Sequence, residues 1–307
     1  MTAGTDADRR VVYGALFAQS LMASGTHIVA RVIAQQVDAF TLTLVRSLIA
    51  AALMGGIVLL RVRRPVFRRE DMRLLLSLSF LAIPVNQFLF LLGMRYTIPS
   101  NAALLYATTP LFVLLFSRLF LREPMSRRKI AGVALGFVGV TIVIFERGYT
   151  ASMDYLFGNV MVFLAVLAWA LYTVYGKRLI HQYGSLQASA STLIIGTLLF
   201  LPIGLIPAIR FPYETLSATG WMQILYLAVI TSVLSYFLWY YALARAEAGK
   251  VALFTNLQPV LTTLLAVLLL GQTITVKEGG GIVQQRSFGA AAAPAVKPAA
   301  TATKAGR

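Results

Sequence analysis

The chain has 307 residues, of which 58% are hydrophobic and 12% charged, and its formal net charge is +16 at pH 7. A soluble domain usually carries about 25% charged residues, so this composition predicts a membrane protein. Such a basic balance can indicate nucleic-acid binding, but here Lys and Arg lie between hydrophobic runs, where they act as topology signals. The chain contains no cysteine, which excludes disulfides and thiolate metal sites.

Hydrophobic runs follow one another along the chain, each close to the ~20 residues that a helix needs to cross a bilayer. Alternating ten-residue strands are absent from the sequence, so it predicts an all-α polytopic membrane protein. A signal peptide is the alternative for the first run, but a similar run returns at residues 158–179, which favours a retained helix. The runs are residues 11–34, 40–60, 74–96, 99–121, 130–145, 155–179, 185–209, 220–244 and 249–270.

Lys and Arg concentrate on one side when the runs cross the membrane in alternation. That side holds the dense basic loops at residues 61–73 and 118–129. Cytoplasmic loops carry an excess of Lys and Arg, so we expect this side, together with the N-terminus, to be cytoplasmic. The opposite side holds isolated basic residues: Arg31, Arg95, Arg147, Arg210 and Lys277.

Residues 88–128 recur at residues 236–277. A constant offset pairs Pro110 with Pro259 and also aligns several leucines. Matches among apolar residues arise easily by chance, so the shared proline and the shared exit from the membrane carry the comparison. A repeat of this length, with two hydrophobic runs in each copy, is typical of transporters built from duplicated halves.

The predicted domains are a first five-helix repeat at residues 1–148, a second repeat at residues 149–283, and a disordered tail at residues 284–307. Because five crossings per half make the second half enter from the opposite face, the prediction is an inverted 5+5 repeat. This arrangement permits alternating access.

The tenth helix is degenerate or altered in this sequence. The repeat register aligns Gly132 with Gly281, but the chain then continues with Gln284, Gln285 and Arg286. A central Arg costs ~2.5–3.5 kcal/mol on membrane-insertion scales. Two explanations stay open: nine sound helices, or an altered C-terminal sequence such as a frame shift would produce.

Several motifs resemble the EamA-type drug/metabolite transporters. The resemblance covers most of residues 11–270, and residues 110–139 are its most specific part. The motifs are A-x-x-Y-x-x-x-P ending at Pro110, LFLREP at residues 119–124, the Gly-rich residues 131–139, Trp169-Ala-Leu-Tyr172 and Val45-Arg46.

The resemblance implies a ten-helix exporter of small metabolites in the bacterial inner membrane. It also implies that helices 1, 3, 4, 6, 8 and 9 surround a central cavity. Among such proteins the sequence is most similar to bacterial amino-acid exporters, particularly those for aromatic amino acids. The expected partners are therefore a small-molecule substrate, an amino acid or similar metabolite, and the lipid bilayer.

The first run carries Ser20, Ser24, His27 and Arg31 on one helical face, since they recur at i, i+4, i+7 and i+11. Small polar residues of this kind often only join neighbouring helices, and Arg31 can snorkel to the surface. An ionisable group well inside a span is by default a functional candidate, which favours His27 as a substrate contact.

Polar residues also stand at equivalent positions of the two repeats. Asn86 and Gln87 align with Ser235 and Tyr236, so the two pairs would face each other across a pseudo-twofold axis. Interhelical hydrogen bonding, typically worth ~0.6 kcal/mol, is the alternative. Tyr106 and Thr255 precede the two equivalent prolines, where a missing backbone bond frees a carbonyl oxygen.

The aromatic residues near Trp169 and Trp239 are candidates for stacking on a planar or cationic ligand. For Tyr240 and Tyr241, which lie near a helix end, an interfacial aromatic belt is the favoured explanation. Together these patterns predict a central substrate cavity. Its predicted substrate-binding residues are His27, Asn86, Tyr106, Trp169, Tyr172, Ser235, Trp239 and Thr255.

The sequence predicts a transporter without cofactor, metal or catalytic residues. His27 and His181 are far apart in the sequence, and there is no HExxH, GxSxG or P-loop motif. A channel-like facilitator stays open as the alternative class. An intramembrane enzyme using Ser24 and His27 would have no acid or oxyanion signature.

The acidic residues predict uncoupled transport. On the predicted topology every Asp and Glu lies in a loop, a tail or the last turn of a span, whereas coupled carriers place a carboxylate or histidine mid-membrane. Only His27 is left to carry a proton within the bilayer. We therefore expect facilitated transport, with proton exchange through His27 as the alternative.

Overall fold

The computed structural model describes residues 6–61, 67–121, 131, 135, 153–270, 275–277 and 280–282. Its α-helices are α1 (Asp6–Ile33), α2 (Ala39–Arg61), α3 (Arg69–Phe80), α4 (Phe88–Met94), α5 (Pro99–Ala107), α6 (Thr109–Leu121), α7 (Met153–Tyr183), α8 (Ser185–Arg210), α9 (Ala218–Leu225), α10 (Tyr236–Leu243), α11 (Ala248–Leu253) and α12 (Gln258–Leu270).

Six helical stretches of the described residues are long and apolar enough to cross a membrane. An all-α polytopic membrane fold is thereby confirmed. The predicted run at residues 130–145 and the tail at residues 284–307 lie outside the described residues, apart from Ala131 and Leu135. The stretches are Ala39–Arg61, Arg69–Met94, Asn101–Phe120, Tyr155–Tyr183, Ser185–Arg210 and Ala218–Leu243.

Two of these stretches contain a π-helical segment, π1 at Leu81–Gln87 and π2 at Tyr226–Ser235. The repeat register superimposes most of π1 on π2. Pro84 lies inside π1, where its missing N–H disturbs the regular α-helical bonds. A π-segment widens the helix locally and often marks a functional site.

The fourth run of each repeat is also interrupted at an equivalent place. In the first repeat α5 ends at Ala107 and α6 begins just before Pro110. In the second, a 3-10 turn at Phe254–Leu257 precedes α12 and Pro259. Since proline fits the first turn of a helix but not its interior, each proline restarts a helix after the interruption.

Close backbone contact holds the third and sixth runs together at Gly93 and Gly158. A Cβ atom on Gly93 would lie 2.7 Å from the carbonyl oxygen of Gly158, and one on Gly158 would lie 2.8 Å from the backbone nitrogen of Thr97. Small residues allow membrane helices to approach in this way. These glycines are therefore required by packing.

The chain divides into a first compact unit that ends at Leu265 and a second that begins at Ala266. The first unit contains the helices up to α11 and the start of α12. In the second unit, the described residues β1 (Thr275–Lys277) and β2 (Gly280–Ile282) pair as antiparallel strands. The repeat register places Gly281 in the tenth helix, so the structure differs from the register at these residues.

Candidate functional site

A cavity of about 70 Å³ lies among helices of the first unit. It has room for a few water-sized molecules. Both repeats supply its lining, and π1 and π2 bring Asn86, Gln87, Thr231 and Ser235 to it. The widened helical segments therefore place polar groups inside an otherwise apolar bundle.

His27 lies on the cavity wall and is 3% exposed. Its Nε2 atom lies 3.1 Å from Oε1 of Gln258, and its Nδ1 atom has no hydrogen-bond partner. Its ring lies 5.5 Å from that of Tyr106 and 5.6 Å from that of Phe90, measured between centroids. The imidazole is thus held at one nitrogen and unpartnered at the other.

The other polar residues of the same helical face join α1 to the rest of the bundle. Ser20 donates to the carbonyl oxygen of Phe254 at 3.0 Å. Ser24 donates to the carbonyl oxygen of Ser20 within α1 at 2.7 Å and to that of Gln258 at 3.4 Å. Nη1 of Arg31 donates to the carbonyl oxygen of Met94 at 2.8 Å. These three side chains bind backbone, which leaves His27 as the cavity residue of this set.

The equivalent polar pairs of the two repeats meet at the hydroxyl group of Tyr236. This hydroxyl donates to Oδ1 of Asn86 at 3.3 Å and accepts from Nε2 of Gln87 at 3.4 Å. Nδ2 of Asn86 also donates to the Tyr106 hydroxyl at 2.9 Å. Ser235 accepts from Nε2 of Gln19 at 3.2 Å. The network connects α1, π1, α5 and the junction of π2 with α10.

Trp169 supplies the large aromatic surface of the cavity wall. Its ring stands edge-on to that of Tyr236, with centroids 5.0 Å apart. The Trp169 ring also stacks on that of Tyr172, with centroids 5.3 Å apart, and its centroid lies 5.4 Å from that of Trp239. Within this aromatic cluster Trp169 and Tyr236 line the cavity, whereas Tyr172 and Trp239 are not among the lining residues.

The structure brings five of the predicted substrate-binding residues to the cavity and leaves three outside it. Tyr172 is fully buried with its hydroxyl 3.1 Å from that of Thr192. Trp239 is also buried and donates to Thr173 at 3.3 Å. Thr255 donates to the carbonyl oxygen of Ala252 at 2.7 Å. The five that line it are His27, Asn86, Tyr106, Trp169 and Ser235.

Among the described residues that line the cavity, Arg46 carries a formal positive charge. The predicted set of substrate-binding residues did not include it. Arg46 lies in α2 with 1% exposure, and its Nη2 atom donates to the Ser232 hydroxyl at 2.8 Å. Its Nε and Nη1 atoms have no hydrogen-bond partner. The sequence did contain a signal for this residue, because an Arg inside an apolar run is a candidate for a functional site. The cavity is also lined by four residues that were not in the predicted substrate-binding set: Gln19, Gln87, Tyr236 and Gln258.

The described residues contain no group of three or more His, Cys, Asp or Glu side chains that could hold a metal ion. Among them, two ion pairs are formed, between Arg178 and Asp71 and between Lys250 and Glu247. Both lie away from the residues that line the cavity.

Comparison with known proteins agrees with this architecture. The model of the EamA-like transporter family matches twice, at residues 11–145 and 156–284. The uncharacterized transporter YetK of Bacillus subtilis (strain 168) is 28% identical over 261 residues, which are 84% of this chain and 79% of YetK. An uncharacterized transporter of Archaeoglobus fulgidus is 30% identical over 261 residues, covering 82% of this chain and 86% of its own.

The uncharacterized inner membrane transporter YedA of Escherichia coli (strain K12) is 28% identical over 272 residues, 86% of this chain and 84% of YedA. A protein of known crystal structure superimposes with a TM-score of 0.63 at 19% identity, over 84% of this chain and 88% of its own, which shows a shared fold. The chain therefore belongs to the EamA-like transporter family and is a multi-pass membrane transporter.

Proposed function

We propose that this transporter exports small metabolites by alternating access through the central cavity, and that neutral and aromatic amino acids are its substrates. The observation that carries the proposal is the meeting of the two repeats at one site, where Asn86 and Gln87 bond the Tyr236 hydroxyl. A site formed between two repeats can open to either face when the repeats rock against each other.

The chemistry of the lining supports a small, partly apolar substrate. Trp169, Tyr236 and Phe90 offer aromatic surface, while Gln19 and Gln87 offer amide groups. Ligand sites commonly combine apolar and aromatic walls with a few polar groups that fix orientation. An aromatic amino acid has the matching combination of a flat apolar body and a polar head.

The proposed arrangement in the cell follows the charge pattern. We propose a bacterial inner-membrane protein with a cytoplasmic N-terminus, an inverted pair of repeats at residues 1–148 and 149–283, and a tail at residues 284–307. Transport runs down the substrate gradient, because the described residues that line the cavity include no Asp or Glu. His27 is the alternative proton carrier.

A non-catalytic role is supported by the geometry of Ser24. Its hydroxyl donates to the carbonyl oxygen of Ser20 at 2.7 Å, and His27 bonds Gln258. A serine nucleophile would need its hydroxyl bonded to the imidazole base. Ser24 and His27 therefore make structural hydrogen bonds, and His27 also lines the cavity.

Purified protein in liposomes tests the proposal. With L-phenylalanine trapped inside, external radiolabelled L-phenylalanine should enter by saturable counterflow, and empty liposomes should show none. A panel of amino acids then ranks the substrates. Single-channel currents would instead identify a channel-like facilitator, and an absence of flux for every amino acid would refute the substrate class.

A further inference from the structure

The guanidinium group of Arg46 lies in the cavity with most of its N–H groups unused. Nη2 donates to Ser232, whereas Nε and Nη1 have no hydrogen-bond partner among the described residues, although Arg46 is 1% exposed. Arginine keeps its charge in proteins and has no acceptor of its own. Arg46 is therefore a buried cation that lines the cavity and carries unsatisfied donors.

Arg31 shows how this chain satisfies an arginine through backbone contacts. Its Nη1 atom donates to the backbone carbonyl oxygens of Met94 at 2.8 Å and Arg95 at 2.5 Å. Arg46 has one hydroxyl partner and no carbonyl or carboxylate partner among the described residues. Within the described part of the chain, Arg46 therefore lacks the carbonyl acceptors that Arg31 has.

Among the described residues, no acidic side chain lines the cavity to balance the charge of Arg46. Neither ion pair among them involves Arg46. A buried charge without a partner is strongly unfavourable. An anionic group of a bound molecule would supply both the opposite charge and the missing acceptors.

Two glutamine side chains of the same cavity each have an unpaired amide oxygen. Oε1 of Gln19 and Oε1 of Gln87 have no hydrogen-bond partner, and both residues line the cavity with Trp169 and Tyr236. Turning either amide over would exchange its nitrogen for its oxygen and still leave one end unpaired. One end of the lining is therefore cationic and suits an anionic group. The other part, with its amide and aromatic side chains, suits the remainder of the ligand.

We propose that Arg46 binds a carboxylate group of the transported molecule. The planar guanidinium group matches a carboxylate, and charge-assisted hydrogen bonds of this kind are about twice as strong as neutral ones. This inference rests on the proposed function, since it names the group by which the substrates enter the same cavity. The ligand must carry a carboxylate to bind Arg46, whereas an amino group is not required.

The test measures binding of two probes of nearly the same shape, one with a carboxylate and the other with an uncharged amide. Purified full-length protein in detergent at pH 7 is titrated calorimetrically with 3-phenylpropionate and with its uncharged amide, 3-phenylpropanamide. We expect the wild-type protein to bind the amide more weakly by about tenfold or more, the size of a lost charged hydrogen bond. Equal affinities, or no binding of 3-phenylpropionate, would overturn the inference.

Variants connect this preference to Arg46. Arg46→Gln should reduce the acid-to-amide preference to about one while the affinity for the amide changes little. Arg46→Lys retains the charge without the planar fork and should retain part of the preference. Arg245→Gln is the matched control, because that guanidinium donates to the backbone oxygen of Tyr241 away from the cavity. Its preference should equal that of the wild type.

Folding of each variant is checked by gel filtration and thermal unfolding in the same detergent. If Arg46→Gln does not fold, the wild-type affinities together with Arg46→Lys still decide the question. A folded Arg46→Gln protein with the full preference for the acid would overturn the assignment. If liposomes move no amino acid while 3-phenylpropionate binding still depends on Arg46, the inference stands and the amino-acid substrate class is wrong.

Discussion

His27 and Gln258 join the first helix to the fourth run of the second repeat at the cavity wall, with Nε2 of His27 3.1 Å from Oε1 of Gln258. Because an amide oxygen is an acceptor, this contact favours the tautomer that carries its proton on Nε2. Nδ1, which has no partner, is then an acceptor available to a substrate donor. This geometry supports the proposal that His27 is a neutral ligand-binding group.

That role gives the first prediction, on energy coupling. In proteoliposomes without an ion gradient, substrate counterflow should proceed, and an imposed pH gradient should not concentrate substrate, because His27 binds ligand instead of cycling a proton. Radiolabelled substrate uptake measures both. Uphill accumulation in a pH gradient, abolished by His27→Ala while counterflow persists, would establish proton exchange in place of facilitated transport.

Trp169 gives the second prediction. Trp169→Ala removes the aromatic wall of the cavity and should lower transport by roughly 2- to 10-fold through lost ring contacts of ~0.5–1.5 kcal/mol. Trp221→Ala is the matched control, since Trp221 is 37% exposed and does not line the cavity. Saturable uptake is compared at equal amounts of folded protein in the liposomes. Equal transport by the wild type and Trp169→Ala would remove Trp169 from the site.

Tyr106 gives a third prediction, because its hydroxyl accepts from Asn86 at 2.9 Å and its ring lies beside His27. Tyr106→Ala should reduce transport without loss of folded protein. Tyr106→Phe retains the ring and should lose only the ~1 kcal/mol of one hydrogen bond. Uptake kinetics for both variants separate the two contributions. Full activity of Tyr106→Ala would argue against a substrate contact.

Gly93 gives the fourth prediction, on stability. A Cβ atom there would meet the carbonyl oxygen of Gly158 at 2.7 Å, so Gly93→Ala should destabilise the protein by about 1–3 kcal/mol through overpacking. Gly14→Ala is the matched control, because a Cβ atom at Gly14 has nothing within 4 Å. It should be neutral or stabilising by up to ~1 kcal/mol, as Ala favours helix. Thermal unfolding in detergent compares them, and an equal unfolding temperature for both variants would contradict the packing.

The fifth prediction concerns topology. Single cysteines placed in the basic loops at residues 61–73 and 122–129 should both resist a membrane-impermeant thiol reagent added to intact cells, because both loops are predicted to be cytoplasmic. The native chain has no cysteine to react. Permeabilised cells provide the positive control for labelling. Strong labelling of either loop in intact cells would reverse the proposed orientation.

The sequence by itself determined the fold class, and its motifs pointed to the family and predicted an internal repeat. Hydrophobic run length sets the number of residues available to cross a bilayer, and the register that pairs Pro110 with Pro259 places an interruption before α6 and before α12, as the structure has it. The alignment of Asn86 with Ser235 likewise anticipated two residues that both line the cavity. These features are local, so residue type and spacing are sufficient to indicate them.

Only the tertiary structure decided which side chains of a helical face reach the cavity. Trp169 and Tyr172 both belong to one conspicuous motif, but Trp169 lines the cavity while Tyr172 packs behind it on Thr192. Arg46 became a site residue because α2 packs so that its guanidinium group has one hydroxyl partner and no carboxylate. Helical periodicity assigns a residue to a face, whereas the neighbours that cover or leave open that face come from distant parts of the chain.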